Sequence, residues 1–166
     1  MDPKTLIAQA EFIAFDLETT GLHPVSAQIV ELGAVRFKGD GEVLGQFQQL
    51  VDPRSKIPHI ATQIHGITNA MVQGQPTIAE ALPEFLEFLG DTPMVMLAHN
   101  ASFDLGFLSV ALCRLRHSFP VHQTLDTCTL ARRRISLCDR LGELCRMDLA
   151  AAVAFARFHL DGRTRR

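Results

Sequence analysis

The chain has 166 residues, of which 47% are hydrophobic, and its formal net charge is −2. This length fits one domain with a sizeable core, and no apolar run approaches the length of a membrane span. The first residues, MDPKTLIAQAEF, lack the charged-then-apolar pattern of a secretory signal, so we expect a cytoplasmic protein.

The four cysteines form no CxxC pair, which argues against a zinc site or a disulfide framework. We expect reduced, mostly buried thiols, as in cytoplasmic proteins. The cysteines are Cys113, Cys128, Cys138 and Cys145.

The charge is divided unevenly along the chain. Residues 1–112 hold 5 Lys/Arg against 13 Asp/Glu, a balance of −8, whereas residues 113–166 hold 11 against 5, a balance of +6. A basic half is a hint of a polyanionic partner, but a solvated, arginine-rich helix explains it equally well.

The first part of the chain predicts three strands. Residues 12–18 alternate between an apolar face and a face that ends in Asp16 and Glu18. Residues 28–37 and 42–51 are two further strand candidates. The KGDG turn between them contains an Asp-Gly pair, which favours a hairpin.

Residues 77–90 predict a helix, because Thr77 and Glu80 have capping-box spacing. Pro83 inside this segment favours a regular helix that begins nearer Leu82, since proline disrupts a helix interior.

The other segments complete an α/β pattern. Residues 52–76 are rich in Pro and Gly but too apolar for a disordered linker, so we expect packed turns and short helices. A short buried strand is predicted in residues 93–100, a helix in 101–116, a brief strand running into a helix in 124–134, and mostly helix in 141–160. This order predicts an α/β domain whose mixed sheet is covered by helices.

Two carboxylates lie at the end of the first strand. The two-residue period places Asp16 and Glu18 about 7 Å apart on one face, where they repel each other. A divalent cation such as Mg²⁺ or Mn²⁺ would remove that repulsion. The alternative is a solvated strand end that leads into a turn.

A second polar group follows the strand in residues 93–100. Asp104 lies in the first turn of the next helix, where a carboxylate is favoured even without a ligand. However, His99, Asn100, Phe103 and Asp104 form a denser group than a helix cap needs. If the two strands are neighbours, Asp104 reaches the same cation from a third direction.

The motifs FDLETTG, IHGIT and HNASFD, in this order and spacing, resemble the DnaQ-like 3′–5′ exonucleases of the DEDD group. The resemblance covers about residues 10–147 of a single exonuclease domain, residues 1–166, with an atypical C-terminal helix in residues 148–166. It implies a ribonuclease H-like fold with a mixed five-stranded sheet flanked by helices. It also implies hydrolysis by two metal ions, Mg²⁺ or Mn²⁺, at the 3′ end of a single-stranded DNA or RNA, possible proofreading, and a DNA polymerase subunit as a possible partner.

The resemblance also implies residue roles. Asp16, Glu18 and Asp104 would be catalytic metal ligands, with Asp148 at the position of the fourth acid. Ordinary loop and core packing is the alternative for His65 and Phe103, and a surface helix is the alternative for Asp148. The implied substrate-binding residues are Thr19, Leu22, His65, His99 and Phe103.

Asp126 matches a frequent family position that is not one of the four metal-binding acids. It follows a short strand, so we expect it to cap the helix that begins at Thr127.

The third motif of the family, His-x-x-x-x-Asp, is not found near the C-terminus. The spacing from His99 to Asp104 belongs to the second motif, and Glu143 stands where the histidine is expected if Asp148 is the fourth acid. The branch that uses tyrosine instead is excluded because the chain has no Tyr. Two hypotheses follow: a working or impaired exonuclease, or a decayed member that binds nucleic acid or a polymerase.

Overall fold

The computed structural model describes residues 8–91, 94–118 and 123–130. Its strands are β1 (Glu11–Thr19), β2 (Ile29–Lys38), β3 (Val43–Leu50), β4 (Val95–Ala98) and β5 (Gln123–Asp126). Its helices are α1 (His59–His65), α2 (Asn69–Val72), α3 (Ile78–Leu89) and α4 (Ala101–Leu115). A further helical turn follows β5 in residues 127–130.

The five strands form one mixed sheet in the order β3-β2-β1-β4-β5. β2 is antiparallel to both β1 and β3, while β1, β4 and β5 are parallel. The C-terminal ends of β1, β4 and β5 therefore meet at one edge of the sheet, together with the start of β2. This architecture confirms the predicted mixed sheet with flanking helices.

The predicted hairpin joins β2 to β3. Gly41 has φ 97°, a conformation that favours glycine. Its N–H donates to the Lys38 carbonyl, and the Lys38 N–H donates to the Glu42 carbonyl, which closes the turn. Local turn chemistry thus fixes the pairing of the two strands.

The two faces of the sheet have cores of different size. Ile13, Phe15 and Leu17 join a large buried cluster with residues of α3 and α4. Phe12 and Ala14 belong to a smaller cluster on the opposite face. Continuing the alternation, Asp16 and Glu18 extend the row that Phe12 and Ala14 begin.

Helix α3 corrects one prediction from the sequence. The helix begins at Ile78, not near Leu82, and Pro83 lies inside it. The capping box forms as predicted: the Thr77 N–H donates to Glu80 Oε2 at 2.7 Å. These bonds hold the first turn, and Pro83 is exposed, so its ring is accommodated on the solvent side.

The irregular segment before α3 contains two short helices, as predicted. Helix α1 ends at Gly66, which has φ 79°, and Thr68 Oγ1 accepts the Met71 N–H at the start of α2. The Asn69 side chain accepts the Ile57 N–H at 2.8 Å. These bonds hold α1 and α2 beside the start of β2.

The expectation of mostly buried cysteines is wrong for the two cysteines that are described. Cys113 is exposed and Cys128 is partly exposed, and both are free thiols. Cys113 lies on the solvent side of α4, whose buried side chains include Leu108 and Leu112. Cys138 and Cys145 lie outside the described residues. None of the described helices has the length and apolar character needed to cross a membrane.

Candidate active site

The candidate site lies where β1 extends beyond its neighbour β4. The pairing of the two strands covers only Phe12–Ala14 of β1, which continues to Thr19. The chain leaves β4 at Ala98 and enters α4, whose first turn takes the place of a strand beside β1. There the Leu17 N–H donates to Asp104 Oδ1 at 3.0 Å.

This hydrogen bond brings Asp104 to the strand segment that carries Asp16 and Glu18. The Leu17 nitrogen is bonded to the carbonyl carbon of Asp16, so Asp104 Oδ1 lies within about 5.5 Å of the Asp16 Cα. Asp104 is only 2% exposed, whereas Asp16 and Glu18 are partly exposed. The residues Asp16 and Glu18, with partly exposed side chains, thus flank in sequence the residue whose N–H binds the buried Asp104 carboxylate.

The chemistry of these groups suits a hard divalent cation. Carboxylate oxygens are the protein ligands that Mg²⁺ and Mn²⁺ prefer. Nevertheless, in the described part of the chain no three or more His, Cys, Asp or Glu side chains form a group arranged to hold a metal ion. The ligand set Asp16, Glu18 and Asp104 thus stays a prediction, which the position of Asp104 supports.

Glu31 is a further acid near the site that the sequence analysis did not predict. Glu31 on β2 is the residue directly opposite Glu18 on β1, and Gly33 is opposite Asp16. Glu31 is 8% exposed, and its Oε1 accepts the Gln48 Nε2–H at 2.8 Å. Its signal in the sequence is a single charge in the otherwise uncharged run from Ile29 to Val35.

The N-terminus of α4 is held by Asp126. Asn100 adopts a left-handed conformation, φ 63°, between β4 and α4, and its N–H donates to Asp126 Oδ1 at 2.9 Å. The same oxygen accepts the Cys128 N–H, and Oδ2 accepts the Thr129 hydroxyl. Asp126 therefore caps the following helical turn, as predicted, and also fixes the turn that delivers Asp104.

These bonds determine the charge state of Asp126. Partial burial raises its pKa, but the hydrogen bonds from Thr129, Cys128 and Asn100 together outweigh burial and lower the pKa below its ordinary value. The carboxylate is thus held ionised, which strengthens the bonds it accepts.

Three of the predicted substrate-binding residues lie at the same edge of the sheet. Thr19 is buried, and its hydroxyl donates to the Gly21 carbonyl at 2.7 Å. Leu22 is 75% exposed in the loop that follows β1, so its side chain is available to a ligand. His99 is exposed, and its Nδ1 lies 3.2 Å from the Thr127 hydroxyl.

His65 ends helix α1 and lies near the backbone of Thr19, the last residue of β1. Its Nδ1 accepts the Ile67 N–H at 3.0 Å, which requires that nitrogen to be unprotonated. Burial lowers the pKa of His65, while the nearby backbone of Thr19 raises it by a smaller amount. That backbone does not reach the buried Nε2 within hydrogen-bonding geometry, and Nε2 has no partner among the described residues. We therefore expect a neutral ring at neutral pH.

Phe103 has a structural role that the sequence left open. Its ring lies 5.0 Å from that of Phe107 and packs against the large core. It is partly exposed, so this packing does not exclude a contact with substrate. Asp148 and Glu143 lie outside the described residues.

Comparisons with known proteins agree with this arrangement. A model of the exonuclease family of the ribonuclease T type matches residues 13–153. The PolC-type DNA polymerase III of Clostridium perfringens is 44% identical over 122 residues, which are 74% of this chain and 8% of that protein. A putative bifunctional exonuclease/endonuclease protein of Mycobacterium tuberculosis is 43% identical over 157 residues, which are 88% of this chain and 24% of that protein.

The chain thus spans less than a third of the length of either relative. Among solved structures, E. coli exonuclease I in complex with a dA16 oligonucleotide superposes with a TM-score of 0.69 at 21% identity, over 80% of this chain and 31% of that one. This similarity shows the ribonuclease H-like fold. Because the family model matches most of its length, the chain belongs to the exonuclease family, in the DEDD group of 3′–5′ exonucleases that its motifs resemble.

Proposed function

We propose that this chain is a metal-dependent 3′–5′ exonuclease that removes nucleotides from the 3′ end of DNA or RNA, with residues 1–166 forming one exonuclease domain. The observation that carries the proposal is the bond from the Leu17 N–H to Asp104 Oδ1. It supports the proposal because it joins a buried carboxylate of α4 to Leu17, the residue between Asp16 and Glu18 in the sequence, in a member of the exonuclease family.

Asp16, Glu18 and Asp104, with Asp148 from the C-terminal region, would hold two Mg²⁺ or Mn²⁺ ions. When bound, such ions activate an attacking water and neutralise the leaving 3′ oxygen. The protein contributes position: the sheet fixes Asp16 and Glu18, and the Leu17 N–H fixes Asp104. A rigid carboxylate set lowers the cost of reorganising the site during the reaction.

The terminal nucleotide would bind at the loop after β1. Leu22 presents an exposed apolar side chain there, and His65 lies beside the Thr19 backbone. The family resemblance gives these residues, with His99 and Phe103, contacts to the nucleotide at the 3′ end. Stacking of a base on an aromatic side chain such as Phe103 tolerates different bases because every base has a π-face.

The missing third motif predicts an impaired enzyme. No histidine is placed by the family pattern to take the proton of the attacking water. General base assistance contributes about 10²–10⁴-fold to a rate, so hydrolysis by the remaining site would be slow but measurable.

The second candidate function is a catalytically decayed module that binds nucleic acid or a polymerase. The missing His-x-x-x-x-Asp motif favours it. In that case the carboxylate site would bind cations weakly, and the chain would retain single-stranded nucleic acid without shortening it.

A labelled oligonucleotide separates the two functions. A single-stranded DNA labelled at its 5′ end should be converted into a ladder of shorter labelled products when Mn²⁺ or Mg²⁺ is added. The Asp16→Asn variant, which removes one proposed ligand charge, is the control for contaminating nucleases. Retention of the oligonucleotide by the wild-type chain with no shortening at any metal concentration supports the binding module.

A further inference from the structure

The register of the sheet places two acids face to face. Glu31 on β2 is the Cα partner of Glu18 on β1, so their side chains point to the same face. Directly opposite residues in a regular antiparallel pair have Cβ atoms about 4.5–5.5 Å apart, and this pair is the last one before the register shifts between Glu18 and Thr19. The carboxylate of Glu31 is therefore a neighbour of the proposed metal ligand Glu18.

This position brings a nearly buried acid next to a second acid. Glu31 is nearly buried, at 8% exposed, within a run of buried strand residues. Burial penalises an ionised carboxylate, and two like charges directly opposite in a sheet repel each other. Local rules broken in this way are common at functional sites, where a ligand compensates the cost.

Gln48 on β3 gives Glu31 a fixed orientation. Gln48 is the Cα partner of Gly33, which has no side chain to block the path between the two strands. Its amide reaches diagonally across the face and donates to Glu31 Oε1 at 2.8 Å. The hydrogen bond from β3 thus fixes the Glu31 carboxylate on the face of the sheet that carries Glu18.

We propose that Glu31 is a positioning residue of the cation site. Its carboxylate, oriented by Gln48, adds negative charge beside the ion and repels Glu18 until a cation neutralises the two groups, and this raises the affinity for a divalent cation. This inference rests on the proposed function, because it requires a cation at Asp16, Glu18 and Asp104.

The test is a titration of the metal-free protein with Mn²⁺ alone, followed by calorimetry or by the loss of the free-ion spin-resonance signal. Glu31→Gln keeps the shape and the acceptor for Gln48 but removes the charge. One unit charge near a divalent ion in a solvated site changes its affinity by about tenfold, so the dissociation constant of Mn²⁺ should rise about tenfold. Glu84→Gln, which removes an exposed charge on α3, should leave that constant unchanged.

A second variant and a second measurement separate positioning from general stability. Gln48→Ala leaves every acid in place and should weaken Mn²⁺ binding by less than Glu31→Gln does, because Glu31 loses its fixed orientation but keeps its charge. In EDTA, Glu31→Gln should unfold at the same temperature as the wild type or higher, since a repulsion is removed. A lower unfolding temperature with unchanged Mn²⁺ affinity would mean a purely structural role.

The experiment distinguishes a failure of the proposed function from a failure of the proposed role of Glu31. A wild-type protein that neither binds Mn²⁺ nor cleaves overturns the proposed function and the role of Glu31 with it. A wild-type protein that binds Mn²⁺ and a Glu31→Gln variant of equal affinity overturn the role of Glu31 alone.

Discussion

The Leu17 N–H and Asp104 Oδ1 lie 3.0 Å apart, although the two residues are 87 positions apart in the chain. The contact joins the first turn of α4 to the edge of β1 at the point where β4 has ended. It supports the proposal that Asp104 belongs to the same site as Asp16 and Glu18.

Two substitutions of Asp104 separate charge from structure. Asp104→Asn keeps an oxygen that accepts the Leu17 N–H, so its free energy of unfolding should lie within about 1 kcal/mol of the wild type. Its nuclease rate should fall at least about 10²-fold, because a proposed ligand charge is lost. Asp104→Ala should show the same loss of rate and, in addition, a loss of stability of about 1–3 kcal/mol from the unsatisfied buried N–H.

Urea unfolding and the oligonucleotide assay measure the two effects. Ser102→Ala, an exposed change in the same helical turn, is the matched control. If Asp104→Asn cleaves at the wild-type rate, Asp104 is not a ligand of the metal site.

Much of the fold can be predicted from local patterns. The alternation in residues 12–18, the Asp-Gly hairpin and the capping box at Thr77 each depend on neighbouring residues, and the structure confirms all three. The predicted start of α3 near Leu82 is wrong because Pro83 was given more weight than the capping box, which holds the first turn.

The site is harder to predict because it depends on strand order and register. Glu31 becomes recognisable only when β2 is placed antiparallel to β1 with Glu31 opposite Glu18. The second contact of Asp126, with the Asn100 N–H, likewise requires β4 and β5 to be neighbours. Spacing along the chain gives no information on either pairing.

Asp126 should stabilise the protein in a pH-dependent way. Its pKa is lowered in the folded state, so its contribution to stability is present above its ordinary pKa of 3.8 and is lost as the pH falls through the folded pKa. Asp126→Asn should lower the free energy of unfolding at pH 7 by about 1–2 kcal/mol, because three hydrogen bonds to a charged acceptor are weakened at a partly exposed position.

Chemical denaturation at pH 7 and at pH 3 measures the free energy of unfolding of Asp126→Asn and of the wild type. The difference between Asp126→Asn and the wild type should shrink at the lower pH. Asp91→Asn, an exposed change, should have little effect at either pH. If the difference is equal at both pH values, the stabilisation by Asp126 does not depend on its ionised form.

His65 should reduce stability at mildly acidic pH. Burial lowers its pKa below the ordinary value of 6.5, so the unfolded chain binds a proton more readily than the folded one. The free energy of unfolding should therefore fall as the pH drops below about 6.5. This dependence of the free energy of unfolding on pH should disappear in His65→Phe. The substitution itself should lower the free energy of unfolding at pH 7.5 by about 1 kcal/mol, because the Ile67 N–H loses its acceptor.

Urea unfolding at pH 7.5 and pH 5.5 measures the slope. His59→Phe changes an exposed histidine at the start of the same helix and should retain the wild-type difference between the two pH values. An unchanged slope in His65→Phe would assign the acid sensitivity to other groups.

Nucleic-acid affinity should depend on salt. Residues 113–166 carry a balance of +6, and contacts between basic side chains and phosphates release counterions on binding. Binding of single-stranded DNA to the inactive Asp16→Asn variant should weaken by at least about tenfold between 50 and 200 mM salt, as for several phosphate contacts. Equal affinity at both concentrations would show that the basic half faces a different partner.

The fourth acid gives the last prediction. The family resemblance predicts that Asp148 is the fourth acid, and neither Asp148 nor His159 lies among the described residues. If Asp148 completes the metal site, Asp148→Ala should reduce the rate of hydrolysis, which we predict to be slow in the wild type, by at least about tenfold and raise the Mn²⁺ concentration needed for half-maximal rate. His159→Ala, a change in the same C-terminal segment, should leave both quantities near their wild-type values, because no family motif assigns that histidine a proton-transfer role. The 5′-labelled oligonucleotide assay over a range of Mn²⁺ concentrations measures both. Fast hydrolysis that His159→Ala alone abolishes would overturn the expectation of an impaired enzyme, since it would identify His159 as a general base supplied from a new position.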